Sequence, residues 1–418
     1  NREGINLAAM ALEAAYSTRA AFTPFSYDLL FDPMFLNADV VHYHLVHNQF
    51  FDVGHLPILS HLKPTVWTLH DPWAITGHCV YPMGCDRWQN GCGDCPSLAL
   101  DFAVTHDTTA LNWEIKRLAI QQSSLDVIVA SRWMEERVRS SPIFKNARVH
   151  RIPFGLDLAR FRPTDSAKEK ATLKVESGNV VLALRATPSI FKGLDSVIGA
   201  LERLDTDQKI TLLIFGEPGL LDRFSSRFQI IELGWINDEE EIIRAYNAAD
   251  IFLMPSTAEA FGMMAMEAMA CGKPAIVMSG TSLDEVVKPE LGGGVSVPQG
   301  DLDQFVTKIQ ELVEDRTARA QIGSRARELS EEYYDRDRYT RAVIGVYEQA
   351  IERAPATERA ESIIQQQLRV AGELSHYSGA PRGGKPPGFG AARAGWRSTR
   401  RYLKKFRWAR YAHSRLSR

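Results

Sequence analysis

Apolar residues in this chain gather in short, unbroken runs separated by stretches with helical spacing. Asp39–His44, Pro64–His70, Leu125–Ser131 and Val149–Pro153 form one group of runs. Val180–Leu184, Ile210–Phe215, Phe228–Leu233, Ile251–Met254 and Ala275–Met278 form a second. Runs that are apolar throughout predict strands covered on both faces, as in parallel sheets flanked by crossover helices. Helical patterns fall between them, at Gly4–Thr18, Arg132–Ser140, Asp238–Ala248 and Phe261–Ala270, and a charged helical stretch runs from Leu302 to about Arg353. The polar segment Asp157–Lys170, with Phe161-Arg-Pro163 inside it, reads as the linker between the two groups. The pattern predicts an α/β protein of two doubly wound domains, residues 1–160 and 161–355, with a ligand cleft at the carboxyl ends of their strands. A linker at 356–395 and a tail at 396–418 follow.

Length and composition agree with two globular domains. The 418 residues exceed what one core usually supports, and 45% hydrophobic with 24% charged residues excludes a disordered or fibrous chain. No window approaches the roughly 18 apolar residues of a membrane span and no signal peptide is visible, so the chain reads as cytoplasmic. Charge changes the picture at one end. From Ser378 onward there are twelve Lys/Arg and no Asp or Glu, which leaves −14 on the preceding residues of a chain whose net charge is −2. The tail from Trp396 interleaves Trp396, Tyr402, Phe406, Trp408 and Tyr411 with basic residues beyond a Pro/Gly-rich stretch. Such a segment suits an anionic membrane surface, here the inner face of the plasma membrane. A disordered basic tail that touches nucleic acid nonspecifically is the other reading of it. The acidic body carries no basic stripe, so nucleic acid is not expected as the partner.

The richest chemistry lies in Pro255-Ser-Thr-Ala-Glu259-Ala-Phe-Gly262-Met-Met-Ala-Met-Glu267, between two apolar strands. Gly262 lets backbone approach a ligand, and the helix after it offers amides and a positive dipole end to a phosphate. Glu259 before the helix and Glu267 within it can hold hydroxyls on either side of that phosphate. A sugar nucleotide carries hydroxyls in both places.

This run resembles the E-x7-E motif of the retaining glycosyltransferases of family 4, which have the GT-B fold of two Rossmann-like domains. The resemblance implies that Glu259 contacts the donor sugar, that Glu267 holds the ribose, and that backbone of Phe261, Gly262, Met263 and Met264 meets the diphosphate. Arg185 and Lys192, after the first strand of the second domain, resemble the pair that neutralises the donor pyrophosphate, although the family often spaces the pair four residues apart and here six intervene. Fixed cations there stabilise the charge that develops on a leaving nucleoside diphosphate. Gly234, Trp235 and Ile236 are similar to the loop bracketing the base, and His70 in Trp-Thr-Leu-His70-Asp71 to a histidine that points at the donor sugar. The collinear matches run from about Asp39 to Val287. They imply a retaining hexosyltransferase using a nucleoside-diphosphate sugar, needing no further cofactor, acting on a glycan or lipid-linked glycan in exopolysaccharide, capsule or lipopolysaccharide biosynthesis.

Two other readings stand beside it: a nucleotide-sugar epimerase of the same fold, and a non-catalytic binding protein. The family's glycine-rich loop after the first strand is not visible, so either the chain is truncated at its start or the loop has diverged. Finally, Cys79-x5-Cys85-x6-Cys92-x2-Cys95 places four thiols within seventeen residues. Either they hold a structural zinc or they are free, partly buried thiols.

Overall fold

A computed structural model describes residues 10–21, 23–47 and 50–353; the linker at 356–395 and the basic aromatic tail at 396–418 lie outside the described residues. Ten strands are present among them, in two all-parallel sheets. The first holds β1 (Val41–His44), β2 (Thr65–Leu69), β3 (Asp126–Val129) and β4 (Arg148–Arg151), side by side in chain order. The central β2 and β3 are buried at every position, which is why their sequences are apolar throughout.

The second sheet comprises β5 (Val180–Ala186), β6 (Ile210–Gly216), β7 (Gln229–Gly234), β8 (Ile251–Met254), β9 (Ala275–Met278) and β10 (Val295–Val297), in the order β10-β9-β8-β5-β6-β7. The chain therefore winds outward from β5 through β6 to β7, then returns to β5's other side and winds outward again through β8 to β10. The reversal lies between β5 and β8, which pair from Leu182↔Ile251 to Leu184↔Leu253. A crevice opens at such a switch point because successive loops leave in opposite directions.

Three features depart from the sequence pattern. The stretch expected to be linker contains a helix, Ser166–Thr172, which buries none of its residues and so has no apolar stripe to reveal it. A tenth strand, β10, is only three residues long. The last described helix, Arg336–Glu352, turns back to the first sheet. Its Val343, Val346 and Ala350 pack with Val66, Ile128 and Ile152, and Tyr347 meets His42. The chain thus crosses between sheets twice, and the crossings are bonded together: Leu156 N–H donates to Tyr334 O (2.8 Å) and Arg336 N–H to Leu156 O (3.1 Å).

Candidate active site

The loops leaving β5 and β8 at the switch point carry the residues singled out above. Arg185 is the penultimate residue of β5, and its guanidinium lies 5.0 Å from the centre of the Trp235 ring, so the Gly234–Ile236 loop after β7 joins the same site. Burial draws the Arg185 pKa down while Glu259, Tyr246 and Glu217 oppose it, placing a partly desolvated cation among acidic groups. Lys192 Nζ donates to Glu259 Oε1 at 2.5 Å, and both side chains are largely buried. The two loops touch along their backbones, with Thr257 N–H donating to Phe191 O (2.9 Å). Gly193, at φ +69°, permits that approach, since a Cβ there would lie 2.0 Å from Pro255 O.

Glu259 begins the run into the helix Met263–Ala270. The residue before that helix is Gly262, at φ +102°, and no side chain caps its N-terminus. The helix thus starts four residues after Glu259 with its first amides uncapped, and such a helix start suits a phosphate. Glu267 lies inside the helix, 3% exposed, and accepts from the Tyr246 hydroxyl at 2.8 Å. Glu259 and Glu267 thus differ in setting: one is paired with a cation at the mouth, the other is bonded to a buried phenol.

The first domain contributes a histidine group. His44 Nδ1 and His70 Nε2 are 2.9 Å apart, and His42 bridges Thr68 Oγ1 and the Tyr347 hydroxyl, each at 2.7 Å. Burial holds the His44 imidazole down to about 4; it also lowers His42 and His70, with the neighbouring histidines adding to the effect. All three are neutral near pH 7. The His70 ring stacks on Phe154 (18° between planes), and Phe154 meets Phe261 edge-on, which links His70 to the glutamate run.

Sequence reasoning missed several residues that approach this run from the first domain. Ser131 Oγ donates to Ala260 O (2.7 Å), and Ala260 N–H donates to the Tyr81 hydroxyl (3.2 Å). Glu285 of the second domain accepts from the Arg132 and Trp133 amides, each at 2.7 Å, at the start of the helix Arg132–Ser140. Only an N-cap serine followed by a helical pattern hinted at Ser131, and nothing local singled out Tyr81.

The four clustered cysteines lie together in the first domain. Cys79, Cys85, Cys92 and Cys95 line one small cavity together with His78, yet among the described residues no three His, Cys, Asp or Glu side chains converge as a metal-holding group. Cys95 Sγ lies 3.4 Å from His78 Nε2, and the Thr76 hydroxyl donates to Cys79 O at 2.5 Å. Burial pushes the Cys92 thiol up to about 11. Cys79, Cys85, Cys92 and Cys95 are unbridged, and each is partly exposed.

These two parallel-sheet α/β domains, with ligand-facing loops at a switch point, have the GT-B arrangement. Residues 165–329 match the family described as "Glycosyl transferases group 1". Among curated proteins, the chain is 30% identical over 220 residues to a D-inositol 3-phosphate glycosyltransferase of Saccharomonospora viridis, covering 49% of this chain and 50% of that protein. It is 24% identical to a protein of Escherichia coli (strain K12) provisionally named colanic acid biosynthesis glycosyl transferase WcaC, covering 70% and 71%. The chain thus spans half the length of the first of these relatives. Among solved structures it resembles Anabaena Alr3699/HepE in complex with UDP and glucose, with a TM-score of 0.57 and 19% identity over 77% of this chain and 80% of that one. Among the described residues, no helix is long and apolar enough to cross a membrane.

Proposed function

We propose that the protein is a retaining glycosyltransferase that moves a hexose-type sugar from a nucleoside diphosphate to a hydroxyl acceptor. The observation that carries this reading is the meeting of Arg185, Lys192, Glu259 and an uncapped helix N-terminus at the β5/β8 switch point. Two cations and a row of amides suit a diphosphate, and the carboxylate beside them suits the sugar hydroxyls next to it. Glu267 is set one helical turn and a half further in, where the ribose would lie, and the exposed Trp235 ring offers a face to the base.

In this reading the glycosidic bond breaks as negative charge grows on the departing diphosphate. Arg185, Lys192 and the Met263 and Met264 amides are fixed where that charge appears, so they favour the transition state over the bound substrate. The departing phosphate oxygen takes the acceptor proton on the same face, which gives retention at the anomeric carbon. His70, neutral and stacked on Phe154, can donate to a sugar hydroxyl. Surface polysaccharide assembly is the setting we infer, supported by the likeness to the protein named for colanic acid biosynthesis. A glycan or lipid-linked acceptor would bring the basic tail to an anionic membrane.

Thermal-shift screening against a panel of nucleoside diphosphates and their sugars tests the reading. A shift with at least one sugar nucleotide, followed by transfer to a hydroxyl acceptor with the anomeric configuration kept, is the expected result. Conversion of the sugar nucleotide without acceptor would favour an epimerase, and no stabilisation by any member would overturn both.

A further inference from the structure

The cysteine-rich segment is tied to the first domain by a set of hydrogen bonds. Lys116, from the helix Thr109–Gln121, is fully buried and donates to Trp73 O (2.7 Å) and Thr76 O (2.8 Å) just ahead of Cys79. Thr109 Oγ1 accepts from the Gly93 amide, Asp107 from the Cys95 amide, and Trp113 Nε1 donates to Trp88 O. Gly77 lies so close to Thr109 that a Cβ would fall 2.5 Å from its carbonyl oxygen. The segment is therefore a rigid arm.

Tyr81 is what the arm delivers. Its ring packs against Phe191 of the Arg185–Lys192 loop and against Trp133, at 5.4 and 6.4 Å between centroids. Its oxygen accepts from the Ala260 amide, next in sequence to Glu259. Burial, with Glu259 and Asp71 nearby, keeps the phenol protonated. Because the oxygen is used as an acceptor, the O–H proton is left to give, and among the described residues it donates to none. A neutral donor held beside the carboxylate that faces the sugar can bond a sugar hydroxyl, and it repels neither the diphosphate nor Glu259.

Resting on the glycosyltransferase reading, we infer that Tyr81 donates a hydrogen bond to a hydroxyl of the transferred sugar, so that the cysteine-rich arm helps select the donor sugar. Ser131 supplies a comparison, because it holds the same residue from its other side, through the Ala260 carbonyl, and spends its proton there.

The test is calorimetric binding of UDP, UDP-glucose, GDP and GDP-mannose to wild type, Tyr81→Phe and Ser131→Ala. For whichever pair binds, Tyr81→Phe is expected to weaken the sugar nucleotide about tenfold and leave the bare nucleoside diphosphate unchanged. Ser131→Ala is expected to move both ligands together or neither. Equal effects of Tyr81→Phe on both ligands, or the same sugar-selective loss in Ser131→Ala, would overturn the inference while leaving the glycosyltransferase reading intact. Wild type that binds none of the four, nor any member of the wider panel, would overturn that reading and this inference with it.

Discussion

Lys192 and Glu259, 67 residues apart in sequence, share a hydrogen bond of 2.5 Å across the β5/β8 reversal. Each is held on a short loop whose backbone touches the other, so the pair is fixed before any ligand arrives. The lysine then has two demands on it: it neutralises Glu259 at rest and would meet a diphosphate when one binds. Lys192→Ala should therefore lower kcat by about a hundredfold or more, while Lys192→Arg, which keeps the charge but not its compact form, should recover part of the loss. Steady-state kinetics with the sugar nucleotide decides it, and turnover unaffected by Lys192→Ala would remove this residue from the leaving-group role.

Glu267 should act on binding instead. Glu267→Ala is expected to weaken nucleoside diphosphate binding by about 1–3 kcal/mol, because a charged hydrogen-bond partner for the ribose is lost. Tyr246→Phe removes the phenol bonded to Glu267 but keeps the carboxylate, and should weaken binding less. Calorimetry on the two variants separates a ribose contact from a purely internal bond.

The neutral histidines predict a pH dependence of stability. With His44 at about 4 in the folded protein against 6.5 in the unfolded chain, its contribution is complete above about pH 6.5. As pH falls from there towards 4, the unfolded chain takes up a proton that the folded one refuses. Stability should then drop by up to about 1.4 kcal/mol per pH unit from this group. Buried Asp52, raised to about 6, works in the opposite direction, so the clean measurement is the difference in slope between wild type and His44→Gln in urea unfolding. Parallel slopes would mean that His44 titrates normally.

Thiol chemistry distinguishes the arm from a metal site. Cys79, Cys85, Cys92 and Cys95 are each partly exposed, whereas Cys271 is 1% exposed. A thiol reagent should modify the four in the native protein and reach Cys271 only after unfolding, with no metal released. About one zinc freed per chain would decide for the coordination reading.

Gly155, where the chain leaves the first sheet, faces the returning helix. A Cβ there would lie 2.6 Å from Tyr339 Cβ and 2.7 Å from Arg336 Cα. Gly155→Ala should cost about 1–3 kcal/mol. Gly345→Ala in the same helix, where a Cβ meets nothing within 4 Å, should be neutral or slightly stabilising. Thermal unfolding of the two variants checks the contrast.

Much of this architecture was legible because central strands of a doubly covered sheet must be apolar on both faces; β2, β3, β8 and β9 announce themselves in this way. The β5 and β8 loops were legible for a different reason, since glycines, cations and carboxylates at strand ends have little structural use there. What stayed hidden depends on long-range packing. The helical pattern of 336–352 was visible, but not which sheet its apolar face would meet. The spacing of the cysteines says that the thiols are neighbours along the chain, not where their sulfurs point. Tyr81 reaches Ala260 only because Lys116, Asp107 and Thr109 fix the course of the segment around it.

The paired crossings at Leu156 and Tyr334–Arg336 make the two halves resemble leaves mounted on one pin. Sliding one sheet past the other would break both backbone bonds at the pin, whereas swinging about it spares them. The bonds from Tyr81 and Ser131 to Ala260, and from the Arg132 and Trp133 amides to Glu285, act as latches away from that axis. Severing the chain at one crossing would leave the other to keep the leaves in register.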